Sequence, residues 1–327
     1  MASIREVAKL AGVSPATVSR VMNHTANVDE EKRRRVLDAI EETGFQPNEL
    51  ARALFKQSSK IIGVIVPSIE NPFFSEMVRA IEEEAFSCGY RILICDSSGN
   101  AEKERMNVQM LKQMKADGLI MMAQSEMTAQ IISDCQMPVV VLDRLVDGEN
   151  VIASVGSDNY WGGRIATEHL LKCGSKNMVC VRGPQNASSS RDRYRGYLDV
   201  CKSYGLKEQS VDCSYSYDEG LKAAHRILET YEGVDGIMAC NDMVAFAMCK
   251  VLLEKGYRVP EDIQIIGYDN VIFSRLFNPE ITTIKQPIKE MGRLSVQIIV
   301  NHIAGKEFQK DNRFEVELVE RQSTRKV

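Results

Sequence analysis

Apolar and polar positions near the start of the chain repeat with a helical period. Ser3 to Leu10 carries Ile4, Val7, Ala8 and Leu10 as an apolar stripe, with Ser3 as a cap and Glu6 three residues later, which predicts a short helix. Ala11, Gly12 and Val13 interrupt the stripe. Ser14 then offers a second N-cap and Pro15 takes the first helical position, where its missing N–H costs nothing, so a second helix should run from Pro15 to about Met22. Two short helices joined by a three-residue glycine turn predict a helix-turn-helix. On the second helix Val18, Val21 and Met22 can face inward, while Pro15, Ala16, Ser19 and Arg20 lie outward near its N-terminal half, the part such a helix presents to a major groove. A third helix, Asp29 to Glu42, sets Lys32, Arg33, Arg34 and Arg35 opposite Val36, Ala39 and Ile40 and closes at Gly44. Those four cations fit either a solvated face or a row of phosphate contacts. Beyond Gln46-Pro47, the segment Asn48 to Phe55 is capped and amphipathic but too short to hold as a lone helix, so it should fold only against a partner.

From Lys60 the period changes. Short apolar runs alternate with helix-length amphipathic ones, the pattern of parallel α/β units. Strands are expected at Ile61 to Val66, Arg91 to Cys95, Gly118 to Met121, Val139 to Leu142, Met178 to Val181, Gly236 to Ala239 and Ile263 to Ile266. Helices are expected near 73–88, 102–115, 158–173, 191–204, 217–231 and 242–256. The fold class is therefore α/β, with an all-α N-terminal headpiece ahead of two doubly wound parallel-sheet halves. In such sheets ligands bind beyond the carboxyl ends of the strands. Those positions hold Glu70-Asn-Pro-Phe-Phe74, Asp143-Arg144, Asn241-Asp242 and Gly267-Tyr-Asp269, and the loop before the 191 helix adds Arg191 and Arg193. Carboxylates and amides of this kind pair with vicinal hydroxyls, and Phe73 and Phe74 offer an apolar face to a ring. An enzyme cleft could collect similar groups, but there is no GxSxG, no strand-end histidine, no GxGxxG and no GxxxxGK[ST].

Composition narrows the picture further. With 327 residues, 44% hydrophobic and 26% charged, the chain has room for two or three ordinary globular domains. No apolar run approaches the ~18 residues of a membrane helix. Arg5, Glu6 and Lys9 leave no room for a secretory signal, so a cytoplasmic protein without membrane contact is expected. Nine cysteines, an odd number with no CxxC spacing, point to buried reduced thiols. The scattered His24, His169, His225 and His302 supply no metal-ligand spacing, so neither a metal nor a cofactor is expected. The net charge of −4 hides an asymmetry: residues 1–60 hold ten Lys and Arg against eight Asp and Glu, so the remainder is acidic. Such a division suggests that only the head meets a polyanion.

The string IREVAKLAGVSPATVSRVMN followed by GFQPNELARALF resembles the DNA-binding headpiece and hinge helix of the lactose-repressor family of bacterial transcription regulators. The resemblance implies a headpiece at 1–47, a hinge helix at 48–57, and an effector-binding and dimerisation body at 60–327. The body would divide into about 60–157 with 285–303, and about 158–282 with 306–327. It further implies a homodimer on palindromic operator DNA, contacted by Ser14, Pro15, Ala16, Thr17, Ser19, Arg20 and Asn23, with Leu54 wedged into the minor groove.

The body is similar to periplasmic sugar-binding proteins of the ribose type, on Asn71 to Phe74, Leu142-Asp-Arg144, Ser157-Asp-Asn-Tyr-Trp-Gly-Gly163, Arg191-Asp-Arg-Tyr-Arg-Gly196 and Gly267-Tyr-Asp269. With VPEDIQIIGYDN and TTIKQPIKEMG, the likeness to the family's ribose-responsive members covers essentially the whole chain. It implies a D-ribose pocket of Asn71, Phe73, Phe74, Asp143, Arg144, Arg191, Tyr215, Asn241 and Asp269, completed by either Gln286 or Glu290. A hexose, purine or sugar phosphate effector, a phosphocarrier protein partner, and a sugar-acting enzyme tethered to DNA stand as alternatives. The missing catalytic dyads argue against the last.

Overall fold

Helix α1 (Ile4–Ala11) begins in the capping box: Ser3 Oγ accepts from the Glu6 N–H at 3.3 Å and the Glu6 carboxylate accepts from the Ser3 N–H at 2.6 Å. It stops at Gly12, whose φ of 63° lets its N–H reach back to the Ala8 and Lys9 carbonyls. Ser14 Oγ then accepts from the Thr17 N–H at 3.2 Å and starts α2 (Pro15–Asn23). Asp29 caps α3 (Glu30–Thr43), and Gly44 ends it. Val7, Ala8, Ala11, Val18, Val21, Val36 and Ala39 form the small core of this unit. Leu10, expected inside, is 49% exposed, because the stripe begun at Ile4 returns at Val7, Ala8 and Ala11. The computed structural model describes residues 2–23, 28–45, 58–122, 127–143, 148 and 150–326, in two units, 1–59 and 60–327. The segment Asn48 to Phe55, with Leu54, lies outside the described residues.

The second unit is built on two six-stranded sheets. Its first lobe comprises β1 (Ile61–Val66), α4 (Pro72–Ser87), β2 (Arg91–Asp96), α5 (Ala101–Gln113), β3 (Gly118–Met121), α6 (Thr128–Ser133), β4 (Val139–Leu142) and β5 (Val151–Ser157). The second comprises α7 (Asn159–Lys172), β6 (Met178–Arg182), α8 (Ser188–Tyr204), β7 (Ser210–Asp212), α9 (Tyr217–Thr230), β8 (Gly236–Met238), α10 (Asp242–Glu254), β9 (Gln264–Asp269), a 3-10 turn (Ile272–Arg275) and β10 (Thr282–Lys285). Helix α11 (Ile288–Ile303) returns to the first lobe and packs on α4; β11 (Asp311–Phe314) and β12 (Glu317–Val319) follow. The sheet orders are β11-β5-β4-β3-β1-β2 and β12-β10-β9-β8-β6-β7, parallel except for β12 against β10. Central strands β3 and β4 are buried along their whole length, as continuous apolar runs covered by helices on both faces should be, and β9 is buried throughout although it carries Gln264 and Asp269 at its ends.

The lobe assignment of the C-terminal segment needs correction. Residues 306–327 do not all join the second lobe: β11 pairs with β5 in the first sheet, and only β12 pairs with β10 in the second. Its sequence, Asp-Asn-Arg-Phe, is held by backbone pairing at a sheet edge and carries no apolar signature. Strand β10 lies wholly in the second sheet, which moves that boundary from 282 to 285. The chain thus crosses between lobes three times, around Asp158, Gln286 and Glu315. All nine cysteines are free, eight of them buried. Among the described residues no helix is long and apolar enough to cross a membrane, and no group of three His, Cys, Asp or Glu is placed to hold a metal ion.

Candidate functional site

Two groups of residues carry candidate chemistry, one in each unit. In the first, Ser14, Pro15, Ala16 and Arg20 are exposed on α2, and Thr17 and Ser19 are half-buried. The Thr17 hydroxyl is tied to Ser14 Oγ at 2.9 Å. Asn23 ends the helix, and its side chain lies outside the described residues, as does Leu54. On α3, Lys32, Arg34 and Arg35 are exposed, while Arg33 is half-buried with Glu30 3.7 Å away.

In the second unit the site lies where the two lobes meet. Asn71 caps α4, accepting from the Phe73 N–H at 3.1 Å ahead of Pro72 at the first helical position. Phe73 and Phe74 pack edge to face at 5.1 Å, both buried, and Phe74 lies on the cleft side. A cavity of about 410 Å³ opens between Pro67, Asn71 and Phe74 of the first lobe and Tyr215, Asp218 and Met243 of the second. Tyr215 is held from below: its carbonyl accepts from Asn241 Nδ2 at 3.1 Å, and Asn241 Oδ1 caps α10 through the Val244 N–H at 2.9 Å.

Beyond Asn241 is a buried polar cluster centred on Asp269. Gln286 Nε2 donates to Asp269 Oδ1 at 2.7 Å, and Arg193 Nη2 faces the same oxygen at 3.9 Å. The guanidinium is fixed on three further sides: Nε donates to Asn159 Oδ1 at 2.7 Å, Nη1 to the Cys240 carbonyl at 2.8 Å, and its Cζ lies over the Tyr268 ring, 3.6 Å from the ring centre. Asp269 (φ 107°) and Asn270 (φ 59°) both adopt left-handed backbone conformations, which non-glycine residues keep only where the surroundings over-determine them. Asp143, half-buried at the end of β4 with φ 69°, adds a second carboxyl whose charge is felt by Arg193, Tyr268 and Asp269.

Burial pushes the Asp269 carboxyl well above the usual carboxylate range, against the pull of Arg193 and the Gln286 amide. Burial also opposes the charge on Arg193, but Tyr268, Tyr215, Asp269 and Asp143 outweigh it and hold the guanidinium firmly protonated. Nearby Asp242 is wholly buried and accepts from Thr283 Oγ1 at 2.6 Å and the Val271 N–H at 2.9 Å. Burial pushes its carboxyl up to about 7, although both hydrogen bonds lower it.

Helices α7 and α8 set this geometry. A Cβ on Gly163 would stand 2.1 Å from the Arg193 carbonyl oxygen, and one on Gly196 would stand 2.3 Å from the Tyr160 carbonyl oxygen. The two helices therefore touch backbone to backbone, close enough for Asn159 at the start of α7 to reach Arg193 in the first turns of α8.

Two expected pocket members stand elsewhere. Arg191 is exposed, and its Nη1 donates to the Gln185 carbonyl at 2.8 Å. The inward face of α8 is Ser189, Ser190, Arg193, Gly196 and Tyr197, which leaves Arg191 two residues off the stripe. Between the two candidates for the last position, Gln286 is buried against Asp269 while Glu290 is exposed on the first turn of α11. Arg144 lies outside the described residues. Sequence reasoning missed Ser157, Asn159 and Tyr268 as members of the cluster. Their signal was present, since the first two belong to the SDNYWGG string and the third precedes Asp269, but the Cys240 carbonyl is a backbone group that no side-chain pattern announces.

The family described as "Periplasmic binding proteins and sugar binding domain of LacI family" matches residues 59–322, and "Bacterial regulatory proteins, lacI family" matches residues 3–48. A ribose operon repressor of Halalkalibacterium halodurans is 39% identical over 94% of this chain and 92% of its own. The transcriptional repressor PurR of Haemophilus influenzae is 34% identical over the whole of both chains. Among solved structures, a lac repressor dimer bound to operator and the anti-inducer ONPF is 27% identical and superposes with a TM-score of 0.88 over 99% of each chain. A LacI family regulator from Enterococcus faecium with bound ribose is 28% identical, with a TM-score of 0.73 over 81% of this chain and 98% of that one.

Proposed function

Since this chain belongs to the LacI family of bacterial regulatory proteins, we propose that it is a cytoplasmic homodimeric repressor whose hold on palindromic operator DNA is weakened by D-ribose bound between its lobes. The observation that carries this is the buried cluster in which Asp269 meets Arg193 and Gln286, with Asn241 and Asp143 nearby. Five polar side chains exceed what a flat purine needs and suit a small polyol with a hydroxyl on nearly every carbon, each hydroxyl both donating and accepting. Phe74 and Tyr215 flank the opening and can cover the faces of a ring. The ribose operon repressor among the relatives and the ribose in the Enterococcus faecium neighbour support the same choice. The likeness to PurR makes a purine the rival effector.

One helix-turn-helix reads one half-site, so a second copy related by a two-fold axis doubles the contact. The protein carries apolar surface for such a partner: Met106 and Met110 on one face of α5, Ile94 on edge strand β2, and Leu253, Phe273 and Leu276 in the second lobe are all exposed. On the DNA side we assign a base-edge contact to exposed Arg20, with the cations of α3 against phosphates.

Calorimetric titration of the full-length protein tests the effector. D-ribose should give heat and weaken operator binding in a mobility-shift assay, and Asp269→Ala should abolish both responses while still binding operator. A response to hypoxanthine, a hexose or ribose 5-phosphate, with none to millimolar D-ribose, would overturn the assignment.

A further inference from the structure

We propose that Ser157 and Asn159 are positioning residues that fasten the buried cluster to the points where the chain crosses between lobes, so that occupancy at Asp269 is transmitted to those crossings. This rests on the reading that the cleft binds D-ribose, but the fastening itself is visible without any ligand. The first crossing is the tripeptide Ser157-Asp158-Asn159, between the last residue of β5 and the first of α7. Each of its residues holds a different part of the molecule. The Ser157 hydroxyl donates to Gln286 Oε1, and Gln286 is the second crossing. The Asp158 N–H donates to the Phe314 carbonyl at 2.8 Å, at the edge of the third crossing. Asn159 Oδ1 accepts from Arg193 Nε at 2.7 Å, while its Nδ2 donates to the Ser157 carbonyl at 3.1 Å and closes the tripeptide on itself.

Gln286 and Arg193 are the two side chains that converge on Asp269 Oδ1, and both are oriented from this one tripeptide. The primary amide of Gln286 has an accepting end and a donating end. With Ser157 donating to the oxygen, the NH₂ is left to face Asp269. Asp158 meanwhile caps α7 through the Trp161 N–H at 2.9 Å, so the helix starts rigidly at the crossing and a rotation of the second lobe carries Asn159 with it. Ser157 and Asn159 are both 6% exposed, so neither owes its place to solvent. A sugar hydroxyl at Asp269 competes for the groups that Gln286 and Arg193 offer, and a shift of either is passed through Ser157 or Asn159 to the crossings.

The test uses the full-length protein with two pairs of variants, Ser157→Ala with Ser157→Thr and Asn159→Ala with Asn159→Asp. The alanine variants should bind D-ribose about tenfold more weakly, the effect of one buried hydrogen bond, with sugar-free operator affinity within about twofold of the parent. Thr keeps the hydroxyl and Asp keeps an acceptor for Arg193, so these variants should recover most of the sugar affinity. In sugar-free protein, amide hydrogen exchange at residues 155–160 and 284–288 should quicken about tenfold in Ser157→Ala. Exchange unchanged in Ser157→Ala, or sugar and operator affinity falling together in both alanine variants, overturns the proposal. If the parent gives no heat with D-ribose while the exchange difference is present, the effector assignment falls and the fastening stands.

Discussion

Arg193 shows how much a single side chain is asked to do. It spans Asn159, the Cys240 carbonyl, the Tyr268 ring and Asp269, with a planar fork that has a donor on every edge. Lysine has the charge but neither the fork nor the stacking plane. Arg193→Lys should therefore weaken D-ribose binding about 100-fold, ~3 kcal/mol for a buried charged partner mis-set, while Arg191→Ala should change it less than twofold. Calorimetry on the two variants decides between them, and the reverse order would restore Arg191 to the pocket. Asp242 governs a different property at the same scale. Its carboxyl titrates at about 7 in the fold against 3.8 for an ordinary aspartate, so the folded chain keeps a proton that the unfolded chain gives up between those values. Folded pKa above unfolded pKa means that the stabilisation is complete below about pH 4 and is lost as pH rises through 7, with a ceiling of about 4 kcal/mol. Asp269 is raised by burial as well and acts in the same direction. Asp242→Asn copies the protonated form, with Nδ2 toward Thr283 and Oδ1 toward Val271. Its Tm gain over the parent should be near zero at pH 3, grow steadily above pH 4 and level off above pH 7; a gap that stays constant with pH would show that Asp242 is ionised throughout.

At the scale of elements, contact between α7 and α8 decides whether the site forms. An alanine methyl at Gly163 would meet the Arg193 backbone at 2.1 Å, which no rotamer change relieves, so the helices must part. Gly163→Ala should destabilise by about 3 kcal/mol in denaturant unfolding and also loosen the Asn159–Arg193 bond. Gly156→Ala, with nothing within 4 Å of the new methyl, is the matched control and should be neutral within about 0.5 kcal/mol. How far an element can be read from the sequence depends on what holds it in place. Central strands β1, β3 and β4 were readable to the residue because both of their faces are buried and the apolar run has the length of the strand. Strands β10, β11 and β12 were not, since Thr-Thr-Ile-Lys and Asp-Asn-Arg-Phe pair through backbone groups that every sequence possesses. Capped helices announced themselves: Ser3, Asp29 and Ser216 each hold the first turn by a side chain. Helix α8 follows Ala187 without a side-chain cap, so nothing in the sequence marks its start at Ser188, three residues ahead of the expected 191, and the Arg191 that the resemblance carries into the pocket stands off the buried face that bears Arg193. The polar strand ends were found because the fold class dictates where to look. The partners that orient them were not, because Ser157 and Asn159 act across the chain on residues 129 and 34 positions away.

At the scale of the whole molecule, the proposed sugar cleft and the helix-turn-helix belong to separate units, and the net charge divides between the same two segments. Residues 1–60 carry a surplus of two positive charges, whereas the remainder holds 31 Lys and Arg against 37 Asp and Glu, so the body is repelled by the polyanion its own headpiece seeks. Operator binding should accordingly weaken steeply as salt rises, in proportion to the phosphates neutralised by groups such as Lys32, Arg34 and Arg35, while binding of the uncharged D-ribose at the proposed cleft should barely respond. On that proposal, D-ribose influences operator binding through a change in the populations of lobe arrangements. Such a change has a fixed bookkeeping: if D-ribose weakens operator binding by a factor of about 10 to 100, ~1 to 3 kcal/mol of coupling, operator DNA must weaken D-ribose binding by the same factor. Titrating D-ribose into free protein and into the preformed operator complex, at one salt concentration, measures one side of the cycle; mobility shifts with and without sugar measure the other. Equal factors establish a single coupled equilibrium between cleft and headpiece. A sugar affinity that is identical with and without operator, beside a sugar-dependent operator affinity, would mean that the sugar acts at some site other than the cleft around Asp269.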